Sequence, residues 1–172
     1  PAARHPGSLD ALLTALRTAD IEGPKRTEEE FDMFFLLLTV AGNETTRNLI
    51  SNGMKALIDN PDQRAIALQH LDDDGFMNTL ADELLRVSTP AMHFRRTATH
   101  DTTLGGVDVA EGDKVVLWYI AGNRDPKVFA NPHQLDVLRT PNDHVTFGGG
   151  GPHFCLGANL ARMEIRVMFK QL

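Results

Sequence analysis

The chain's single cysteine, Cys155, lies in the run Phe147-Gly-Gly-Gly-Gly-Pro-His-Phe-Cys-Leu-Gly157. The apolar spacing of Leu156, Leu160, Met163 and Val167 predicts a helix directly after it. One sulfur would then stand at a helix N-terminus, where free amides and the dipole favour negative charge. A zinc or iron–sulfur site would draw on several further cysteines, and the sequence has none. Haem iron can use a single thiolate, because the porphyrin fills its other four equatorial positions. Gly148 to Gly151 would let the backbone pass close to a flat ligand and turn amides toward the sulfur. The same run lacks the Lys-Ser/Thr ending of a phosphate loop. Two other readings of the thiol stay open at this point: a buried, inert cysteine, and a nucleophile paired with His153 in a hydrolase.

Two further groupings carry chemistry. Glu83 and Arg86 are three residues apart and share a helix face; in isolation such a pair is a surface ion pair of little energetic value. Ala41-Gly42-Asn43-Glu44-Thr45-Thr46 puts poor helix formers in the middle of a helical pattern. A glycine, with Thr45 able to bond the carbonyl four residues back, should loosen the ladder and make room beside a buried metal. Glu44 and Thr45 would then be placed to relay protons. Taken singly, Thr45 reads as an ordinary helix threonine and Glu44 as an exposed carboxylate.

The elements that must position these residues are mostly helical. Residues 8–19 read as a short amphipathic helix ended by the polar segment 20–24. Thr27 and Glu30 form a capping box, and the helical pattern then runs to about Ile58, apolar on nearly all sides over 34–40, so that its middle should be buried. Asn60, Pro61 and Gln63 mark the next start as cap, N1 proline and N3 amide. Met77, Leu80, Leu84 and Val87 give another helix, closed by Pro90. Short β pieces follow at 94–100, 103–104, 107–109 and 114–117, with turns at Gly105-Gly106 and Glu111-Gly112. Residues 123–151 have no period and read as a packed meander or a functional loop.

The 172 residues, 42% hydrophobic and 23% charged, describe a globular chain without repeats. A formal net charge of -6 argues against broad nucleic-acid binding. The longest apolar stretch, 33–42, is too short to span a bilayer. The opening at Pro1 without methionine, and the close inside a helical pattern at Leu172, read as cuts in a longer protein.

With the motifs Phe147-Gly-x-x-Gly151-x-His153-x-Cys155-x-Gly157, Leu160-Ala161-Arg162, Glu83-x-x-Arg86 and Ala41-Gly-Asn-Glu-Thr-Thr46 in this order, the chain resembles the cytochrome P450 haem-thiolate monooxygenases. The wording of the motifs is similar to bacterial members, and more loosely to actinobacterial sterol and lipid hydroxylases. The resemblance implies a mainly α fold with small β-sheets, the C-terminal portion of that family's fold: long distal helix, Glu-x-x-Arg helix, β pieces, meander, cysteine loop and proximal helix. Residues 1–172 would be one incomplete domain, with the N-terminal half and last C-terminal segment absent.

By the same resemblance Cys155 is the iron ligand of haem b and His153 contacts a haem propionate. Arg96 contacts a haem propionate, with Arg95 the competing assignment. Phe147, Gly148, Gly149, Gly151, Gly157, Ala41 and Gly42 would approach the cofactor. Phe147 stands one residue farther from the cysteine than in the commonest pattern, and Gly148 takes the usual aromatic position. Glu83, Arg86 and, from the meander, Arg139 would be a buried structural network. Glu44 and Thr45 would be catalytic, while Val40, Pro90, Ala91, Met92 and Phe94 would line the substrate pocket. His5, His70, His100, His133 and His144 are given no role.

The implied reaction inserts one oxygen atom from dioxygen into an apolar sterol, fatty acid or terpene-like substrate. Electrons would come from a ferredoxin and ferredoxin reductase docking near Arg162, Arg166 and Lys170 in the cytoplasm. The 172 residues alone are expected neither to hold haem tightly nor to turn over. A haem-thiolate sensor without oxygenase activity is the alternative.

Overall fold

The computed structural model describes residues 27–171 and, before them, Thr14, Ala15 and Thr18. The last three are helical, and the rest of the helix predicted over 8–19 lies outside the described residues. The elements are α1 (Glu28–Asp59), α2 (Pro61–Gln69), α3 (Asp74–Ser88), β1 (His93–Thr97), β2 (Thr102–Leu104), β3 (Val107–Val109), β4 (Lys114–Trp118), α4 (Tyr119–Gly122) and α5 (Ala158–Lys170). The chain divides into two compact units, Pro1–Asn43 and Glu44–Leu172.

In the first unit, the capping box forms as the sequence predicts. The Thr27 amide donates to Glu30 Oε2 at 2.8 Å and the Glu30 amide to Thr27 Oγ1 at 3.2 Å. The predicted burial of 34–40 is not found: Leu36, Leu37 and Val40 are all more than half exposed. An apolar run around a helix states a demand for burial, and the described residues of this unit offer no second layer to meet it. The helix also stays uninterrupted through Gly42 to Thr46.

The second unit is built around α3. Phe76, Met77, Leu80, Ala81, Leu84 and Leu85 of α3 join Leu49 and Leu57 of α1, Ala67 of α2, Leu135 and Val137, and Ile165 and Phe169 of α5 in one apolar core. Asp73 caps α3, accepting from the amides of Gly75 and Phe76 at 2.8 and 3.1 Å. Thr89 ends it in the left-handed region at φ 37°. Gly53 lets α1 approach closely, since a Cβ there would stand 3.1 Å from Phe169 Cζ and 3.3 Å from Leu84 Cδ1.

One sequence expectation is corrected here. Asn60 makes no side-chain cap for α2. Its amide instead donates to the Ala56 carbonyl at 2.8 Å, because one residue joins α1 to α2 and it serves the end of the first helix. Gln63 sends its side-chain carbonyl to the Val137 amide at 3.0 Å. On α5, the stripe of Leu160, Met163 and Val167 faces outward; the face packed on the core is Ala158, Ile165 and Phe169. The helix carries two apolar faces, and periodicity alone does not rank them.

β1 pairs antiparallel with β4, with Phe94 opposite Leu117 and Arg96 opposite Val115; β2 pairs antiparallel with β3. Gly105 and Gly106, at φ 58° and 82°, join β2 to β3 by a turn that needs positive φ at both central positions. From Asn123 to Gly157 there is no regular element, yet Phe129, Leu135 and Val137 are buried. This segment is a packed meander.

Candidate functional site

The meander is held by charges that the core has swallowed. Glu83 and Arg86 are both fully buried. The Arg86 guanidinium donates as a fork to Glu83, Nε to Oε2 at 2.8 Å and NH2 to Oε1 at 2.7 Å. Its remaining hydrogens go to the carbonyls of Asn123 (2.9 Å), Pro132 (2.7 Å) and Gln134 (3.0 Å). Every donor of Arg86 is therefore used. Glu83 in turn accepts from the Asp136 amide at 2.9 Å, Arg139 Nε at 3.1 Å and Asn142 Nδ2 at 3.0 Å. Both guanidiniums lie over the buried Phe129 ring, at 5.2 Å for Arg86 and 6.0 Å for Arg139. Glu83, Arg86 and Arg139 thus meet in one desolvated knot.

From this knot the chain climbs α3 toward the cysteine loop with every second residue turned inward. Asn142 bonds Glu83; His144 Nε2 lies 3.3 Å from Asp82 Oδ1; Thr146 Oγ1 donates to the Leu85 carbonyl at 2.9 Å. Asn123, fully buried, ties the same stretch from behind. Its Nδ2 donates to Thr89 Oγ1 (2.9 Å) and Thr146 Oγ1 (2.8 Å), and its Oδ1 accepts from the Val145 amide at 2.8 Å.

The loop itself is then pinned at Phe147, whose carbonyl accepts the Cys155 amide at 3.0 Å. Arg162 of α5 lays its guanidinium 4.7 Å from the centre of the Phe147 ring and donates through Nε to Asp82 Oδ1 at 2.8 Å. Burial alone would raise the Asp82 carboxyl, but the hydrogen bonds and charges of His144 and Arg162 prevail and hold it below the ordinary aspartate value. Phe147 also meets the rings of His144 at 5.8 Å and Phe154 at 6.3 Å, the latter edge-on.

Gly148, Gly150 and Gly151 take φ values of 96°, 95° and 79°, which explains why this bend is written in glycine. Cys155 and His153 are exposed, and no hydrogen bond joins them. A Cβ on Gly149, Gly150, Gly151 or Gly157 would meet nothing within 4 Å. Phe154 and Leu156, the chain neighbours of Cys155, are both exposed. Among the described residues no three His, Cys, Asp or Glu side chains converge on a metal position. One thiol on an open, apolar-edged loop fits a flat prosthetic group that brings its own equatorial ligands.

The other sequence-predicted residues are placed as follows. Val40, Ala41 and Gly42 belong to the first unit, where all three are exposed. In the second unit, both Glu44 oxygens accept from Arg47 at 2.7 Å, on an exposed face of α1. Thr45 lies on the same helix, half-buried. Pro90 and Ala91 are half-buried between α3 and β1, and Met92 and Phe94 are exposed, with the Phe94 ring 5.5 Å from Tyr119. Arg96 shares the Phe94 face of β1 while Arg95 lies on the opposite one. Arg162, Arg166 and Lys170 are not a free basic patch. They run up α5 against Asp82, Asn78 and Asp74 of α3, at 2.8, 3.0 and 3.7 Å.

Sequence reasoning missed Asp82, Asn123, Asn142, His144 and Thr146. Matching four-residue spacings of Asp74, Asn78 and Asp82 and of Arg162, Arg166 and Lys170 signal the ladder between the helices. Nothing local in the sequence signals Asn123.

Among known proteins, the chain is 49% identical over 163 residues to a methyl-branched lipid omega-hydroxylase of Mycobacterium tuberculosis, covering 95% of this chain and 38% of that protein. It is 48% identical to a steroid C26-monooxygenase of Rhodococcus jostii, covering 95% of this chain and 34% of that one. Among solved structures, a Mycobacterium marinum cytochrome P450 in complex with pseudoionone superposes with a TM-score of 0.87 at 49% identity, over 95% of this chain and 39% of the other. The chain thus spans less than two-fifths of the length of these relatives, and its mainly helical fold with two small antiparallel sheets fits a C-terminal portion of theirs. Among the described residues no helix is long and apolar enough to cross a membrane. The Cytochrome P450 family matches residues 3–172, and the chain belongs to that family, whose cofactor is a haem iron.

Proposed function

We propose that the chain is part of a haem-thiolate monooxygenase that inserts one oxygen atom from dioxygen into an apolar organic substrate. The Cys155 sulfur would hold haem b. When bound, that group supplies oxygen activation and electron transfer, its thiolate ligand favouring O–O cleavage. The single observation that carries the reading is the exposed Cys155 thiol on an open glycine bend with apolar neighbours.

The chain's own residues would act as follows. His153 and Arg96 bind carboxylates at the edge of the cofactor, Arg96 as a planar fork. Phe147, Gly148, Gly149, Gly151 and Gly157 shape the proximal side, and Ala41 and Gly42 admit the cofactor's other face. Glu83, Arg86 and Arg139 keep the meander in place without touching the reaction. Glu44 and Thr45 hold and pass protons; Glu44 must first leave the Arg47 fork, at small cost because that pair is exposed. Val40, Pro90, Ala91, Met92 and Phe94 exclude water from an apolar substrate. The lipid and steroid named for the relatives support a sterol or branched fatty acid class. A ferredoxin and its reductase would deliver the electrons.

The chain would do this as one incomplete domain of a longer polypeptide. The short coverage of the relatives and the exposed apolar faces of α1 and α5 support that view. The isolated 172 residues should neither hold haem tightly nor turn over. The test uses the protein expressed from its complete gene and loaded with haem. Its reduced carbon monoxide complex should show the thiolate-ligated absorbance, and Cys155→Ala should abolish it. An unchanged spectrum in the variant would overturn the assignment.

A further inference from the structure

Phe147 ties the cysteine loop to α5, to the meander and to the apolar core. Its carbonyl fixes the Cys155 amide, its ring lies under the Arg162 guanidinium, and its other neighbours are His144 and Phe154. Arg162 cannot choose its own place over that ring, because a flexible side chain on a helix surface has many rotamers. Asp82, on α3, chooses it by accepting Arg162 Nε at 2.8 Å with the same oxygen that His144 Nε2 approaches at 3.3 Å. The Asp82 side chain is 29% exposed, that of Arg162 30% and that of His144 3%, so the contact is shielded from solvent but not sealed.

From this chain of contacts we propose that Asp82 and Arg162 are positioning residues for the Cys155 sulfur. Asp82 orients Arg162 across Phe147, Phe147 holds the Cys155 amide, and the sulfur is thereby kept at the angle that a proximal ligand requires. The proposal rests on the reading of Cys155 as the haem ligand. The physical reason to expect an effect is that groups one step removed from a metal ligand set its orientation and strength. Neither residue touches the sulfur, and neither is needed for the core, which lies on the opposite face of α3.

The guanidinium does two jobs here that an ammonium cannot combine. It donates sideways from Nε while its flat face lies on the ring. Arg162→Lys keeps the charge and can still pair with Asp82, but cannot at the same time lay a flat donor group on Phe147. Asp82→Asn keeps the Oδ1 acceptor and removes the charge.

The experiment uses the haem-loaded protein expressed from its complete gene, in the wild type and in the variants Asp82→Ala, Asp82→Asn, Arg162→Ala, Arg162→Lys and the double alanine variant. Two quantities are read: the rate at which the reduced carbon monoxide complex loses its thiolate signature, and the urea midpoint. Asn78→Ala, which breaks the next rung of the same ladder without touching Phe147, is the control. Arg162→Ala and Asp82→Ala should speed thiolate loss by about 10-fold or more. Asp82→Asn and Arg162→Lys should fall between these and the wild type, and the double variant should be no worse than either single one, because the two residues act as a unit.

Loss rates in Arg162→Ala that match Asn78→Ala, or that move only in proportion to the urea midpoint, would overturn the proposal while leaving Cys155 as the ligand. A wild-type protein with no thiolate signature at all would overturn both readings.

Discussion

Replacing Glu83 by glutamine changes one oxygen to an amide nitrogen and removes one charge, yet its effect should be large. In the native knot Oε1 accepts two hydrogen bonds, from Arg86 NH2 and the Asp136 amide. Oε2 accepts three, from Arg86 Nε, Arg139 Nε and Asn142 Nδ2. Whichever way the glutamine turns, its NH2 faces at least two donors and can satisfy none of them. Two guanidiniums are left beside it in a site with no solvent exposure at Glu83 or Arg86. Stranding a buried charge in this way costs about 3–5 kcal/mol. With a urea slope of roughly 3 kcal/mol per molar, the midpoint should drop by more than about 1 M. Glu44→Gln is the calibrator, because its partner Arg47 is 65% exposed and such a pair contributes only about 0.3–0.5 kcal/mol. The assay is equilibrium urea unfolding of both variants of the protein expressed from its complete gene, followed by far-ultraviolet circular dichroism. A Glu83→Gln midpoint within the shift of Glu44→Gln would refute the claim that this carboxylate is the desolvated centre of the meander.

Two other perturbations follow from the same geometry. Asp82 is held below the ordinary aspartate value, so the folded state binds fewer protons than the unfolded one across that interval, and stability rises with pH there. Its contribution is complete above the ordinary carboxylate range and disappears as pH falls through the lowered folded value. The stability gap between wild type and Asp82→Asn should therefore shrink toward acid; a gap that stays constant to the lowest pH at which the protein folds would contradict this. Gly53→Val should destabilise by about 1–3 kcal/mol, because its Cβ alone comes within 3.1 Å of Phe169 and 3.3 Å of Leu84. Thermal unfolding at the wild-type midpoint or above would mean that α1 can retreat from α3 and α5 without loss.

How much of this was legible depended on whether a feature is local. The capping box, the hairpin at Gly105-Gly106 and the glycine bend before Cys155 depend on backbone geometry over a few residues, and each was readable from residue types. Spacing alone made the Glu83–Arg86 pair readable as a motif but not as a burial, since an i, i+3 pair looks the same on a surface; its burial was expected only from the family resemblance. What makes it buried is the arrival of Asn123, Pro132, Gln134 and Asp136 from 37 to 53 residues away. Asn123 was invisible for the same reason: its partners are 22 to 34 residues distant on both sides. The apolar stripe at Leu160, Met163 and Val167 was readable as helical, yet the face that packs on the core is another one. Helical period identifies a face, and only the neighbouring helix decides which face is used.

The structure also explains why the Glu-x-x-Arg helix and the cysteine loop, more than sixty residues apart in sequence, behave as one device. One side of α3 is apolar and belongs to the core through Met77, Leu80 and Leu84. Its other side is a row of polar positions, Asp82, Glu83, the Leu85 carbonyl, Arg86 and Thr89, each bonded to the segment that leads to Phe147 or to the residue that overlies it. A change in α3 therefore has two routes to the cysteine loop, through these hydrogen bonds and through the apolar core, against which Phe147 itself packs. Conservative, volume-preserving apolar changes at Leu80 or Leu84 should shift stability more than the thiol's environment, whereas single-atom changes at Asp82 or Glu83, which break directional bonds to the meander or to Arg162, should move both.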